Sequence, residues 1–225
     1  MKTTKEKQYQ GQVELQEKTG AGVLGLTTSF FWEHDPKHLL FTLARYKFAA
    51  KLVEGMKDVA EVGCGDATGA RIVANGVKCV DGYDFDAVFV ENAHAINAGI
   101  KKLSFSVHDI LKNTLPKQYD AIYALDVIEH ILPKDESKFL KNTIASLNPY
   151  GMLILGTPNL TSQVYASQPS KEGHVNCKAH DELRALLKKH FHTSLIFSMN
   201  DEVVHTGYGP MAHYLFGVGI SPKRK

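Results

Sequence analysis

The sequence predicts an α/β fold with a largely parallel sheet, and three observations predict it. Short apolar runs alternate with segments of helical period along most of the chain. The first run, Val59 to Val62, feeds straight into a glycine-rich turn, Gly63-Cys64-Gly65-Asp66-Ala67-Thr68-Gly69. Acidic residues then stand at or just after the ends of the next three runs, as Asp84, Asp109 and Asp126. At 225 residues and 44% hydrophobic content the chain can bury a full core, and the unbroken alternation predicts a single domain over 1–225, with an N-terminal arm and cap helix in 1–50 and the core in 55–225.

Residues 1 to about 30 are polar, and Gly20 to Ser29, bearing glycine and threonine, reads as a loop or mobile arm followed by Phe30, Phe31 and Trp32. His38 to Val53 has apolar residues at helical spacing and is expected to pack over the ligand edge of the sheet. Strands are expected at Val59 to Val62, Val77 to Asp84, Leu103 to Val107, Asp120 to Leu125 and Met152 to Gly156, with a helix beginning near Ala67. Asn148-Pro149 ends a helix and turns the chain. A polar stretch runs from Thr157-Pro158-Asn159 to His174 and reads equally as an ordered lid or a flexible linker. The helix Asp181 to His190 and the runs Ser194 to Met199 and His213 to Val218 complete the set. Between the last two runs, Met199 to Tyr208 reads either as a substrate-recognition loop or as a hairpin turned by Gly207 and Gly209.

Gly63 and Gly65 let the backbone turn sharply and approach a ligand more closely than a residue with a Cβ permits. The turn does not fit the dinucleotide pattern G-x-G-x-x-G: it is one residue too long, and Asp66 would repel a pyrophosphate. Glu61 and Asp66 suit a ligand with a positive group, and backbone N–H groups suit its carboxylate. Asp84 lies 21 residues beyond Gly63 at the end of a predicted strand, where a carboxylate accepts ribose hydroxyls.

Together with His108-Asp109-Ile110 and Leu125-Asp126-Val127-Ile128-Glu129-His130, these motifs resemble the class I S-adenosylmethionine (SAM)-dependent methyltransferases, and in particular the ubiquinone-biosynthesis O-methyltransferase type. The resemblance spans Arg45 to Asn159 and departs from the common pattern at Ala67, where many members carry a third glycine. It implies a three-layer, Rossmann-like sheet of seven strands, the antiparallel last strand inserted between the fifth and sixth. It implies SAM as cofactor and S-adenosylhomocysteine as product. Gly63, Cys64 and Gly65 would form the cofactor turn, Glu61 would face the ammonium, and Asp84 would hold the ribose. Asp109 and the Ile110 backbone would hold adenine, and Leu125 and Asp126 would line the floor. Phe85 either covers one face of the base or fills the core. Arg45 either reaches the methionine carboxylate or makes a surface ion pair.

A sulfonium is already an excellent methyl donor, so the protein has mainly to align an acceptor and, for a hydroxyl, remove a proton. His130, His174 and His180 are the candidate bases, with His130 and His174 foremost. No N-P-P-Y tetrad follows the fourth strand, the Asn148-Pro149-Tyr150 tripeptide that resembles one being misplaced for that role. With a formal charge of only +2 and the short basic tail Pro222-Lys223-Arg224-Lys225 read as a solvated end, this favours a small-molecule acceptor, phenolic or sugar hydroxyl before amine, over nucleic acid. No metal is expected: His174-x-x-Cys177-x-x-His180 lacks a fourth ligand, and no H-E-x-x-H or paired C-x-x-C exists.

Cys64, Cys79 and Cys177 are expected as free thiols. With no apolar run long enough to span a bilayer and no signal-like start, a cytoplasmic protein is expected, and a homodimer is left open. Two rival classes stay in view. An NAD-dependent oxidoreductase would share Asp84 and the glycine turn but predicts G-x-G-x-x-G and a Tyr-x-x-x-Lys pair that does not follow the fourth strand. A non-catalytic SAM-binding partner subunit would keep every cofactor position filled, as here.

Overall fold

The computed structural model describes residues 2–224. Its strands are β1 (Asp58–Val62), β2 (Cys79–Asp84), β3 (Leu103–Val107), β4 (Tyr119–Leu125), β5 (Leu147–Pro158), β6 (Phe191–Asn200), β7 (Val203–His205) and β8 (Tyr214–Pro222). The helices are α1 (Gln10–Thr19), α2 (Leu26–His34), α3 (Pro36–Leu52), α4 (Ala70–Gly76), α5 (Ala87–Ile96), α6 (Glu136–Ala145), α7 (Gln168–Gly173) and α8 (His180–His190). The sheet order is β3-β2-β1-β4-β5-β8-β6-β7. Strands β1 to β5 pair in parallel, and β8 enters antiparallel between β5 and β6, as expected.

The period-two alternation of the strands divides the core between two faces. Ala60, Val62, Ile122, Ala124, Leu153 and Leu155 point to one face, where they pack with Phe139 and Leu140 of α6 and Leu183 and Leu187 of α8. Val59, Ala121, Tyr123, Leu125 and Ile154 point to the other, against Ala49 of α3 and Val73 of α4. A sheet covered on both sides gives the three layers, and its parallel half presents strand carboxyl ends along one edge, where ligands of open α/β sheets bind.

Four expectations about the fold are corrected. The sheet has eight strands, because Val203–His205 pairs with β6 as an edge hairpin inside the segment left open as loop or hairpin. Gly20 to Ser29 is not a loop throughout: Gly25 sits at the N-cap of α2, and only the residues before it connect α1 to that helix. The helix expected near Ala67 begins at Ala70, because Ala67 takes φ 55°, a left-handed value that no α-helix accommodates. Asn148 and Pro149 follow α6 but already belong to β5, with Asn148 Nδ2 donating to Asp120 Oδ1 at 2.7 Å.

The expected solvated tail is tied down as well. Pro222 ends β8, Lys223 Nζ donates to the Lys188 carbonyl at 2.7 Å and Arg224 to the Leu147 carbonyl at 3.1 Å; Lys225 lies outside the described residues. Cys64, Cys79 and Cys177 are free thiols. Among the described residues no helix is long and apolar enough to cross a membrane.

Candidate active site

The glycine turn is built by the ends of β1 and β2. Gly63 and Cys64 both donate backbone N–H to the Tyr83 carbonyl, at 2.7 and 3.1 Å, and Gly65 donates to Asp84 Oδ2 at 2.9 Å. Gly63 takes φ 75° and Gly65 φ 52°, values that favour glycine. A Cβ on Gly63 would lie 2.4 Å from Val127 Cγ2, whereas one on Gly65 would meet nothing within 4 Å. Gly63 therefore fits the turn against its own protein, and Gly65 leaves a cradle open.

The turn opens on a cavity of about 750 Å³, within the roughly 300–1,000 Å³ of small-molecule sites. Arg45, Gly63, Cys64, Gly65, Leu125 and Asp126 stand on its wall, together with His130 and His174. Helices α2 and α3 close one side of it with Phe30, Phe31 and His38, the Phe31 and His38 rings stacked at 4.2 Å. The polar stretch after β5 is folded into a 3-10 segment, Leu160–Tyr165, and α7, and contributes Ala166, Ser167 and Ser170 to the wall. It is an ordered cover, not a linker.

Asp66 fastens this enclosure. Its Oδ2 accepts from both the N–H and the hydroxyl of Thr28, at 2.8 and 2.9 Å, and its Oδ1 accepts from Thr68 N at 3.0 Å. A residue of the glycine turn thus supplies the cap for a free N–H in the first turn of α2, while Asn92 Oδ1 accepts from Leu26 N.

Asp126 follows β4 at φ 58°, a strained conformation for a residue with a side chain. Its Oδ2 accepts from Arg45 Nη1 at 2.8 Å, and the Arg45 guanidinium lies 4.1 Å from the centre of the Tyr214 ring. Arg45 is therefore in the site, paired with Asp126, and not a surface residue; its Nε is buried with no protein partner.

Glu61 corrects its expected role. It is 1% exposed on β1, off the cavity wall, and accepts from the Tyr46 hydroxyl at 2.7 Å and the Tyr123 hydroxyl at 2.9 Å. Burial pushes its carboxyl up to about 8, partly offset by the two tyrosine bonds. It does not face a ligand ammonium but braces β1 against α3 and β4.

Asp84, Phe85, Asp109 and Ile110 stand at the carboxyl ends of β2 and β3, outside the cavity wall. Asp84 is buried, its Oδ1 accepting from Asp86 N at 3.0 Å, and both its oxygens retain lone pairs for further donors. Phe85 is 77% exposed and is not core filler. Asp109 accepts from Leu111 N at 2.9 Å and pairs with Lys112, while the Ile110 side chain joins the core.

Of the three candidate bases, His130 and His174 come together, with ring centres 5.2 Å apart; His180 bonds Asp181, packs against Gly209 and is off the cavity wall. Burial, then the neighbouring His130, holds His174 below the usual histidine range. Glu129, a residue of the Leu125 to His130 motif with no expected role of its own, lies close to both. It is fully buried, accepts from Thr157 Oγ1 at 3.1 Å through Oε2, and leaves Oε1 without a protein partner. Its carbonyl accepts from Val175 N and Asn176 N, which is what draws His174 up to the Glu129-His130 pair. Glu129, His130 and His174 each offer a ligand atom within 4.8 Å of the others and could together hold a metal ion, so the expectation of no metal does not follow from their arrangement.

The fold and this site define a Rossmann-like domain with a small-molecule-sized cavity at the carboxyl edge of its sheet. Residues 60–153 match a sequence family described as a methyltransferase domain. A probable S-adenosylmethionine-dependent methyltransferase of Mycolicibacterium smegmatis is 31% identical over 104 residues, 46% of this chain and 38% of that protein. A ubiquinone biosynthesis O-methyltransferase of Rickettsia conorii is 29% identical over 111 residues, 48% of this chain and 37% of that protein. Among solved structures, the methyltransferase domain of bacterial CtHen1-C superposes with a TM-score of 0.68 at 15% identity, covering 80% of this chain and 98% of that one. Over residues 60–153 the chain is thus similar in sequence to methyltransferases whose cofactor is S-adenosylmethionine, and its fold is that of a methyltransferase domain. It spans less than half the length of the curated relatives it matches.

The residues present fit that cofactor. Gly65 leaves the cradle a backbone-hugging ligand needs, and the buried unpartnered Arg45 Nε and Thr68 Oγ1 belong to residues of the cavity wall, where a polar ligand would satisfy them.

Proposed function

We propose that this chain transfers the methyl group of S-adenosylmethionine to a hydroxyl of a small molecule seated in the cavity, the acceptor being phenolic or a sugar. One observation carries the reading: a single cavity joins the glycine turn and the Arg45–Asp126 pair to the His130–His174 pair and the aromatic wall of α2 and α3. When bound, the cofactor supplies an electrophilic methyl carbon: the acceptor oxygen forms the new O–C bond as the C–S bond breaks, and the hydroxyl proton must leave.

Gly63, Cys64 and Gly65 would hold the methionine end with Arg45 and Asp126, and Asp84 and Asp109 the adenosine. Phe30, Phe31 and His38 offer flat surfaces on which a ring can lie. His130 and His174 stand at the acceptor end with imidazole lone pairs, and either take the hydroxyl proton directly or act on it through a shared ion. Alignment of the acceptor with exclusion of water by α2, α3 and the cover after β5 supplies the rest of the catalysis.

The test is transfer of labelled methyl from SAM into a lysate split into small-molecule, lipid, protein and nucleic-acid fractions, with Gly63→Arg as the blank. Label in the small polar fraction that the variant fails to produce is the expected result. Label in protein or nucleic acid overturns the acceptor, and no label from a chain that still binds SAM favours a binding subunit without turnover.

A further inference from the structure

We propose that Glu129, His130 and His174 form a binding site for one divalent first-row transition metal ion on the wall of the cavity, with open positions for oxygen atoms of the acceptor. The inference rests on reading this cavity as the acceptor site.

Each of the three side chains has one polar atom fixed by the protein and another left over. His130 Nδ1 is 2.9 Å from the Gly173 carbonyl, and His174 Nδ1 is 2.9 Å from Gln163 Oε1. Each ring thereby donates its Nδ1–H to an oxygen, which sets the tautomer and leaves Nε2 with a free lone pair. Glu129 gives Oε2 to Thr157 and keeps Oε1 unpartnered. Metal-binding histidines show this same arrangement, their second nitrogen donating to a carbonyl or similar acceptor that orients the ring.

The Glu129 oxygen also lacks a positive partner of its own. In its ionised form a fully buried carboxylate is stabilised by a cation, and the nearby Arg45 is committed through Nη1 to Asp126 at 2.8 Å. The ligand atoms lie within 4.8 Å of one another. Ligands of one such ion sit roughly 3–4 Å apart, so a shift on the order of 1 Å brings them together, and the exposed His130 can supply it.

Two imidazoles and one carboxylate suit manganese, iron, cobalt, nickel or zinc better than calcium or magnesium, which prefer all-oxygen sets. Three protein ligands leave coordination positions open, as in sites that bind or activate a water or hydroxyl. A coordinated acceptor hydroxyl is acidified, and its proton passes to water, not to the imidazoles whose lone pairs the ion has taken. Such a site favours acceptors with two adjacent oxygens, a catechol or a vicinal diol, which chelate through both.

The experiment is titration of the chelator-treated full chain with Co²⁺ alone, followed by calorimetry and the visible absorption of the bound ion, with SAM binding measured separately. One Co²⁺ per chain is expected. His130→Ala, His174→Ala and Glu129→Gln should each weaken it at least tenfold, while His192→Ala leaves it unchanged. SAM affinity should survive in His174→Ala, which shows that the variant is folded. Co²⁺ uptake that is absent from a chain still binding SAM, or that is indifferent to both histidine variants, overturns the site. Stoichiometric Co²⁺ binding sensitive to the three variants in a chain that does not bind SAM upholds the site and overturns the methyltransferase reading instead.

Discussion

Arg45 and Asp126, 81 positions apart in sequence, meet in a 2.8 Å ion pair on the cavity wall, with the guanidinium lying over the Tyr214 ring. The pair holds Asp126 in its left-handed conformation at the point where β4 ends. Arg45→Ala leaves the aspartate without its cation, and is expected to lower stability by about 1–3 kcal/mol and to weaken SAM binding at least tenfold. Arg45→Lys keeps the charge but loses the flat face over Tyr214, so it should fall between the two. Calorimetry with SAM and urea unfolding read both effects, and unchanged affinity in Arg45→Ala would reduce the arginine to a brace.

The two glycines of the turn should fail in different ways. A Cβ at Gly63 collides with Val127, so Gly63→Ala combines backbone strain with a clash and should lose roughly 2–4 kcal/mol of stability. A Cβ at Gly65 meets only open space, so Gly65→Ala should lose about 1 kcal/mol from its φ of 52° and yet bind SAM at least tenfold more weakly. Equal loss of stability in the two variants would contradict this division.

Glu61 gives the folded state a pH dependence. Its carboxyl titrates at about 8 when folded and near 4.5 when unfolded, so between those values the folded chain holds a proton that the unfolded chain has released. The stabilising contribution is complete below about pH 4.5 and is lost as the pH rises through 8; its full size is on the order of a few kcal/mol. Glu61→Gln keeps a neutral hydrogen-bonding group between Tyr46 and Tyr123 and cannot ionise. Urea unfolding at pH 5, 6.5 and 8 should show a smaller decline in the variant than in the parent, and identical declines would refute the assignment.

Thr28 and Asp66 join the arm to the glycine turn. Thr28→Val removes one of their two bonds, worth about 1 kcal/mol, and should speed hydrogen exchange across α2 about fivefold while leaving β1 and β4 unchanged. Gly25→Ala is harsher, because its Cβ would lie 2.3 Å from Asp66 Cγ and force the carboxylate aside. If α2 in that variant exchanges as slowly as in the parent, the bonds do not hold the arm.

Most of the sheet was legible because its strands carry their own signals. Leu103 to Val107 is the third strand residue for residue, and His38 to Val53 differs from α3 by two positions at the start and one at the end. What sequence reading missed depends on distant partners. Three glycines and two threonines made Gly20 to Ser29 look like a loop, whereas α2 starts at Leu26 with its first N–H groups met by Asn92 and Asp66. The acidic residue of the β1 motif was rightly singled out, but the tyrosines that enclose Glu61 lie 15 positions before it and 62 after it. The histidine pair has the same character: spacing drew His174 towards Cys177 and His180, while the fold places it beside Glu129 and His130, more than 40 residues upstream.

The place of β8 has a consequence for how the chain is made. Strand β5 has β4 on one side and β8 on the other, and β6 reaches the sheet only through β8, so the β6–β7 hairpin has nowhere to dock until residues 214–222 have been synthesised. The parallel half can assemble earlier on the ribosome, leaving the inner edge of β5 as an unpaired row of N–H and carbonyl groups during the wait. A released chain truncated after residue 205 should therefore protect β1 to β4 from protease and leave β6 open to cleavage, and equal protection of both would mean that the sheet closes without its final staple.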